Sequence, residues 1–112
     1  MNFYDKVDEL IRSLKDTNEY REFLSLKSKI KSDDKLYNLM KEFKEKQQKQ
    51  QFDYLNTGKI DENMQKELEN LYSIIIQNND MRAMLECEMR INVLLADMQK
   101  SIGDSIKEII EF

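Results

Sequence analysis

An all-helical fold follows from three observations. The 112 residues contain no proline and only two glycines, so almost nothing in the chain breaks a helix. Apolar residues recur at three- and four-residue steps instead of alternating. The short gaps between these runs hold Asn, Asp, Ser and Gly, the residues that cap and end helices. The expectation is a single domain over 1–112, a five-to-six-helix elongated bundle with a long antiparallel helical hairpin, dimeric. A chain of this size buries roughly 65% of its extended surface on folding, and its 40% apolar content suffices for one modest core.

Phe3, Tyr4, Val7, Leu10, Ile11 and Leu14 share one face, which predicts an amphipathic helix over 3–15. Asp16, followed three positions later by Glu19, offers a variant of the capping box for a second helix. That helix carries Tyr20, Phe23, Leu24 or Leu26, and Ile30 on one side. Ser32 is the next expected N-cap, with Asp33 and Asp34 in a first turn whose dipole favours acids.

The third helix, predicted over 33–56, would be roughly 36 Å long. Its stripe of Leu36, Leu39, Met40 and Phe43 continues through Gln47, Gln50 and Tyr54, and Gly58 suits the left-handed position that ends it. Asp61 caps a fourth helix with Met64, Leu68, Leu71, Tyr72 and Ile75 facing inward. The short connection makes helices three and four antiparallel neighbours. Asn78-Asn79-Asp80 caps a fifth helix whose seam runs Met84, Glu88, Ile91, Leu95, Met98 and Ile102. Gly103-Asp104 reads as a break or kink before a short terminal segment with Ile106, Ile109 and Ile110.

Composition removes much chemistry. Without histidine there is no Ser-His-Asp triad, no Cys-His dyad and no histidine-ligated zinc or di-iron motif. Two isolated glycines make neither a P-loop nor a dinucleotide fingerprint. Asp5, Asp8 and Glu9 share a helix face, as do Glu67 and Asn70, but exposed charge is the default state of such residues. No catalytic residue, metal ligand or cofactor is expected, and no enzymatic activity. The longest apolar run, Ile74-Ile75-Ile76, is far short of a membrane span. The opening Met1-Asn2-Phe3-Tyr4-Asp5-Lys6 lacks a basic and an apolar region, so no signal peptide is expected. A lone Cys87 fits a reducing compartment, hence the cytoplasm.

Charge is unevenly spread around a net −4. The stretch 27–49, with Lys27 and Lys49 at its ends, has eight lysines and four acids, giving +4, whereas 61–112 has five basic and eleven acidic residues, giving −6. The Lys41–Glu45, Glu42–Lys46 and Glu45–Lys49 spacings describe a solvated helix face. Nucleic acid is therefore not the expected partner, and RNA binding through Lys41, Lys44, Lys46 and Lys49 is the alternative function.

Three features depart from a plain scaffold. Glu88 falls on an apolar seam and calls for a partner such as Gln47 or Arg12. Cys87 reads as a small buried residue in preference to one ligand of a shared cluster. Gln47, Gln48, Gln50 and Gln51 interrupt the stripe of the long helix before Phe52, Tyr54 and Leu55 resume it. Shorter neighbours cannot sheathe a helix of roughly 36 Å. The expected homodimer interface is accordingly Gln47, Gln50, Gln51, Phe52, Tyr54 and Leu55.

The succession Tyr4-Asp5, Glu19-Tyr20, Phe43 with Gln47, Gly58, Gln77-Asn78 and Cys87-Glu88-Met89-Arg90-Ile91 resembles the YlbF/YmcA family of small helical proteins, most nearly its short YheA-like branch. The last segment is similar to the family's Ala-Glu-x-Arg-Leu, so Phe43, Gln47, Glu88, Arg90 and Ile91 form a family-like seam. The resemblance implies an intertwined or antiparallel helical dimer without enzymatic activity. It also implies regulation of competence, sporulation and biofilm formation through protein assemblies that modulate RNase Y. Some of those assemblies carry iron–sulfur clusters, but here Cys87 stands alone where the pattern shows alanine, and cluster binding is not carried over. The function expected is a regulatory or adaptor protein acting through protein–protein contacts.

Overall fold

The computed structural model describes residues 2–112, and Met1, part of the segment read for a leader, lies outside them. Five helices follow one another: α1 (Phe3–Lys15), α2 (Asn18–Lys31), α3 (Asp34–Thr57), α4 (Glu62–Ile75) and α5 (Asn79–Ser105), then a 3-10 turn at Lys107–Ile109. Among the described residues there is no strand, so the all-helical class holds.

Local chemistry explains each boundary. Thr17, not Asp16, caps α2, its Oγ1 accepting from the Tyr20 N–H at 3.3 Å and donating to the Leu14 carbonyl at 2.8 Å. One hydroxyl thus serves the end of α1 and the start of α2, which a carboxylate cannot do because it has no proton to donate. Asp16 instead pairs with Arg21. At α3 the cap is Asp33, accepting from Lys35 and Leu36. The expected Ser32 donates back to the Lys29 carbonyl at 2.6 Å, closing the helix before it. Asp61 caps α4 by accepting from Asn63 and Met64, and Asn78 Oδ1 accepts from Met81 N–H at 2.9 Å where α5 begins.

The two glycines act differently. Gly58 ends α3 at φ 70°, its N–H bonded to the Tyr54 carbonyl at 2.7 Å. Gly103 does not break α5, which continues through it to Ser105; a lone glycine lowers helix propensity by only about 1 kcal/mol, which the flanking turns absorb. Open space surrounds the position of a Cβ at both. Gly58→Ala should therefore destabilise by about 1–2 kcal/mol through backbone strain alone. Gly103→Ala should stabilise by up to about 1 kcal/mol. Opposite shifts of the urea midpoint are expected, and equal shifts would refute this assignment.

The chain forms two compact units, one made of residues up to Leu24 with Leu85–Phe112, the other Ser25–Met84. In the second, α3 lies along α4, the most extensive helix pairing among the described residues. Its antiparallel sense is written in the side-chain pairs: Gln50 meets Gln65 at 2.7 Å, Lys46 meets Glu67 at 2.9 Å, and the Phe43 and Tyr72 rings stack at 6.1 Å. Each step back along α3 matches a step forward along α4. Buried side chains of this unit are Ile30, Met40, Phe43, Leu68, Ile75, Met81 and Met84, with Leu26 rather than Leu24 turned inward on α2.

The first unit buries much less. Cys87 and Ile91 are enclosed on α5, Tyr20 and Phe23 are half-buried on α2, and α1 has no buried residue. No helix among the described residues is long and apolar enough to cross a membrane.

Candidate protein-contact surfaces

The glutamines of α3 divide by role. Gln50 is half-buried and donates through Nε2 to Gln65 Oε1 at 2.7 Å, while Gln65 donates in turn to Glu69 at 3.2 Å. This relay clasps the hairpin. Gln47 and Gln51 remain exposed, and with Gln50, Tyr54 and Ile60 they line an open depression of about 440 Å³. A second depression of about 260 Å³ shares Gln47 and Gln50 and extends to Phe43 and Tyr72.

Of the first depression's apolar lining, Tyr54 is 50% and Ile60 58% exposed; Phe52 (65%) and Leu55 (76%) are exposed on the same end of α3 but do not line it. Five of the six expected interface residues are exposed, with Gln50 the exception, and Gln47, Gln50, Gln51 and Tyr54 are the ones the depression brings together. Ile60 was missed by the sequence reading, although a signal existed. It occupies the position before the Asp61 cap, where an apolar residue ordinarily packs against one four places into the helix. That place holds Gln65, so Ile60 has no staple partner.

The family-like seam residues fall into both units. Phe43 is buried against Tyr72 and Gln47 sits at the depression. On α5, Glu88 is half-buried, Arg90 is exposed and Ile91 is buried. The enclosed line along α5 runs Met84, Cys87, Ile91, so the neighbouring thiol, not the Glu88 carboxylate, takes the closed position. A thiol enters an apolar setting cheaply and a carboxylate does not. Burial pushes the Cys87 thiol up from its ordinary 9.0; the Glu22 carboxylate adds to this and Arg90 opposes it.

The basic stretch is partly neutralised within the unit. Lys46 contacts Glu67 at 2.9 Å and Glu42 at 3.3 Å, and Lys29 approaches Asp80 at 4.0 Å. Glu67, then Glu42, raises the Lys46 pKa above 10.5. Stabilisation by a raised lysine is complete below 10.5 and is lost as pH climbs through the folded-state value. Hairpin stability should therefore decline above about pH 10.5, and Lys46→Met should flatten that part of the profile. Since these charges are open to solvent, the effect should also fade with added salt. Urea midpoints across alkaline pH, with and without salt, check it.

Comparison with known proteins places this geometry. Residues 3–107 match the family described as "Control of competence regulator ComK, YlbF/YmcA". A UPF0342 protein of Desulfitobacterium hafniense (strain Y51) is 34% identical over 110 residues, covering 98% of this chain and 89% of that protein. Its counterpart from Caldicellulosiruptor bescii is 36% identical over 106 residues, covering 95% and 89%. Among solved structures, a protein of unknown function from Bacillus stearothermophilus superposes with TM-score 0.80 at 10% identity, covering 96% of this chain and 95% of that one. The yheA protein of Bacillus subtilis gives 0.70 at 17% identity, covering 97% and 99%. At such identities the structures speak for a shared fold.

Proposed function

The chain belongs to the YlbF/YmcA family, described as controlling the competence regulator ComK, and we propose that it is a non-enzymatic regulator that works as a cytoplasmic helical dimer and adaptor for another protein. The observation that carries this reading is the hairpin tip. Tyr54 and Ile60 line a glutamine-rich depression there, and Phe52 and Leu55 stand exposed on the same end of α3. Apolar groups with a few adaptable amide donors and acceptors are what a helical or extended protein segment docks against. By family resemblance, assemblies that modulate RNase Y are candidates for the target.

Affinity capture with the wild-type chain and with Phe52→Glu, read by mass spectrometry, tests the proposal. A partner retained by the first and lost by the second supports it when both show the same helicity. Identical partner sets would overturn it. The alternative, RNA contact by Lys41, Lys44, Lys46 and Lys49, draws on the +4 charge of 27–49. It is weakened by the two carboxylates already held by Lys46. Phosphate binding would show a steep log-linear loss with salt, and a blank RNA gel shift at low salt removes it.

A further inference from the structure

We infer that the groove between α3 and α4 takes an extended protein segment bearing an arginine. The guanidinium seats on the Tyr72 ring beside the Glu69 carboxylate, and an apolar side chain four residues away meets Tyr54 and Ile60. The inference rests on the adaptor reading above and names the chemistry of the segment it would hold.

The two depressions share Gln47 and Gln50, so they form one groove along the hairpin. From Phe43 to Tyr54 it measures roughly 17 Å at the rise of a helix, the span of about five residues of extended chain. Gln47 and Gln51 stand about one turn apart, roughly 6 Å along α3. An extended chain repeats its backbone groups on one edge every two residues, roughly 6.6 Å. Neither amide is engaged by another of the described residues, so each can donate to a carbonyl and accept from an N–H. A helix uses those groups internally, which favours a strand as the occupant.

Charge selects the side chain. Neither depression is lined by a lysine or an arginine, and Glu69 is the carboxylate among the lining residues. Glu67, two residues earlier, is already held by Lys46 at 2.9 Å. Glu69 accepts from the Gln65 amide at 3.2 Å, and no cation among the described residues pairs with it. Phosphate would meet repulsion here, whereas a cation completes the site. Tyr72 makes that cation an arginine. Phe43 stacks on the ring, which is nonetheless 48% exposed, and a planar guanidinium can lie on an aromatic ring while its fork bonds a carboxylate. Glu69 and Tyr72 are three apart on α4, hence neighbours on its surface.

Register sets the spacing. Gln50 stands opposite Gln65, and Phe43 opposite Tyr72, which places Glu69 opposite the turn between Phe43 and Gln47. From that level to Tyr54 is roughly 13 Å, or about four residues of extended chain. An even separation turns both side chains to the same face of a strand.

A synthetic pentapeptide, capped at both ends, with leucine first and arginine last over serine spacers, tests this by nuclear magnetic resonance titration of the isotope-labelled full-length chain. Amide shifts should concentrate in 43–54 and 60–72. Citrulline, the neutral counterpart of arginine, should bind roughly three- to tenfold more weakly, and lysine should also lose affinity. Glu69→Gln should weaken the arginine peptide and leave the citrulline peptide unchanged, while Glu69→Lys should turn the preference to a peptide ending in glutamate. Tyr72→Phe should retain binding and Tyr72→Leu should reduce it, with helicity kept in each. Equal affinity for arginine and citrulline, shifts elsewhere on the chain, or no binding at millimolar peptide overturns the inference. So does an adenine trinucleotide that displaces the peptide, because a stacked base then takes the ring. The adaptor reading fails separately, when Phe52→Glu leaves the captured partner set unchanged.

Discussion

Phe43→Ala is expected to lower the stability of the α3–α4 unit by about 3–5 kcal/mol, the usual cost of emptying a buried phenylalanine site. The ring is only 4% exposed and stacks on Tyr72 at 6.1 Å with the planes 30° apart. Truncation removes both the apolar burial and the stacking, which itself contributes about 0.5–1.5 kcal/mol. The surrounding helices are joined by a short connection and a polar clasp, Gln50 to Gln65, so the gap has little freedom to collapse. A loss on this scale is a large fraction of the total stability of a small domain, and the melting temperature should fall by roughly 10 °C or more. Tyr72→Phe is the control. Tyr72 is 48% exposed, so removing its hydroxyl leaves the stack intact and should shift stability by less than about 0.5 kcal/mol. Urea titration followed by circular dichroism reads both. A Phe43→Ala midpoint within error of wild type would show that this ring does not anchor the hairpin.

Cys87 should resist thiol reagents in the folded chain and react at the ordinary rate once the chain is denatured. The side chain is 1% exposed, so a reagent reaches it only when α5 opens. An opening that costs about 3 kcal/mol slows modification roughly 100-fold. The raised pKa acts in the same direction, since the thiolate is the reactive form and burial beside Glu22 disfavours it. It also sets a sign for stability. The folded state holds the thiol proton more tightly than the unfolded state, so stability attributable to this site is intact below about 9 and falls as pH rises beyond it. Cys87→Ala should remove that alkaline sensitivity near pH 9 while keeping the later one due to Lys46. Labelling of native protein as fast as of urea-unfolded protein would overturn the enclosed placement and reopen a redox or cluster role for this residue.

Much of the architecture was legible because helix ends are local chemistry. Asp61 and Gly58 were assigned from residue type alone, as each satisfies backbone groups within a few residues of itself. The caps at α2 and α3 were displaced by one position for an equally local reason. Thr17 and Asp33 had competitors beside them, and the choice depended on which neighbour was needed to close the preceding helix. Register along α5 was harder. The three/four spacing allowed either Cys87 or Glu88 to face inward, and only packing against other helices shows which of two adjacent residues is enclosed.

Residue order alone thus settled the all-helical class, the helix order, the antiparallel hairpin and the polar interruption at Gln47, Gln50 and Gln51, since these follow from propensity, spacing and caps within short segments. Tertiary structure alone settled that the thiol lies inside, that Gln50 clasps the hairpin and that Ile60 joins the depression at its tip. It also settled that Phe3, Tyr4, Leu10 and Ile11 of α1 stay exposed while Leu95 and Met98 of α5 are half-buried. Burial is a property of what lies opposite a side chain, and a linear pattern names a face without naming its cover.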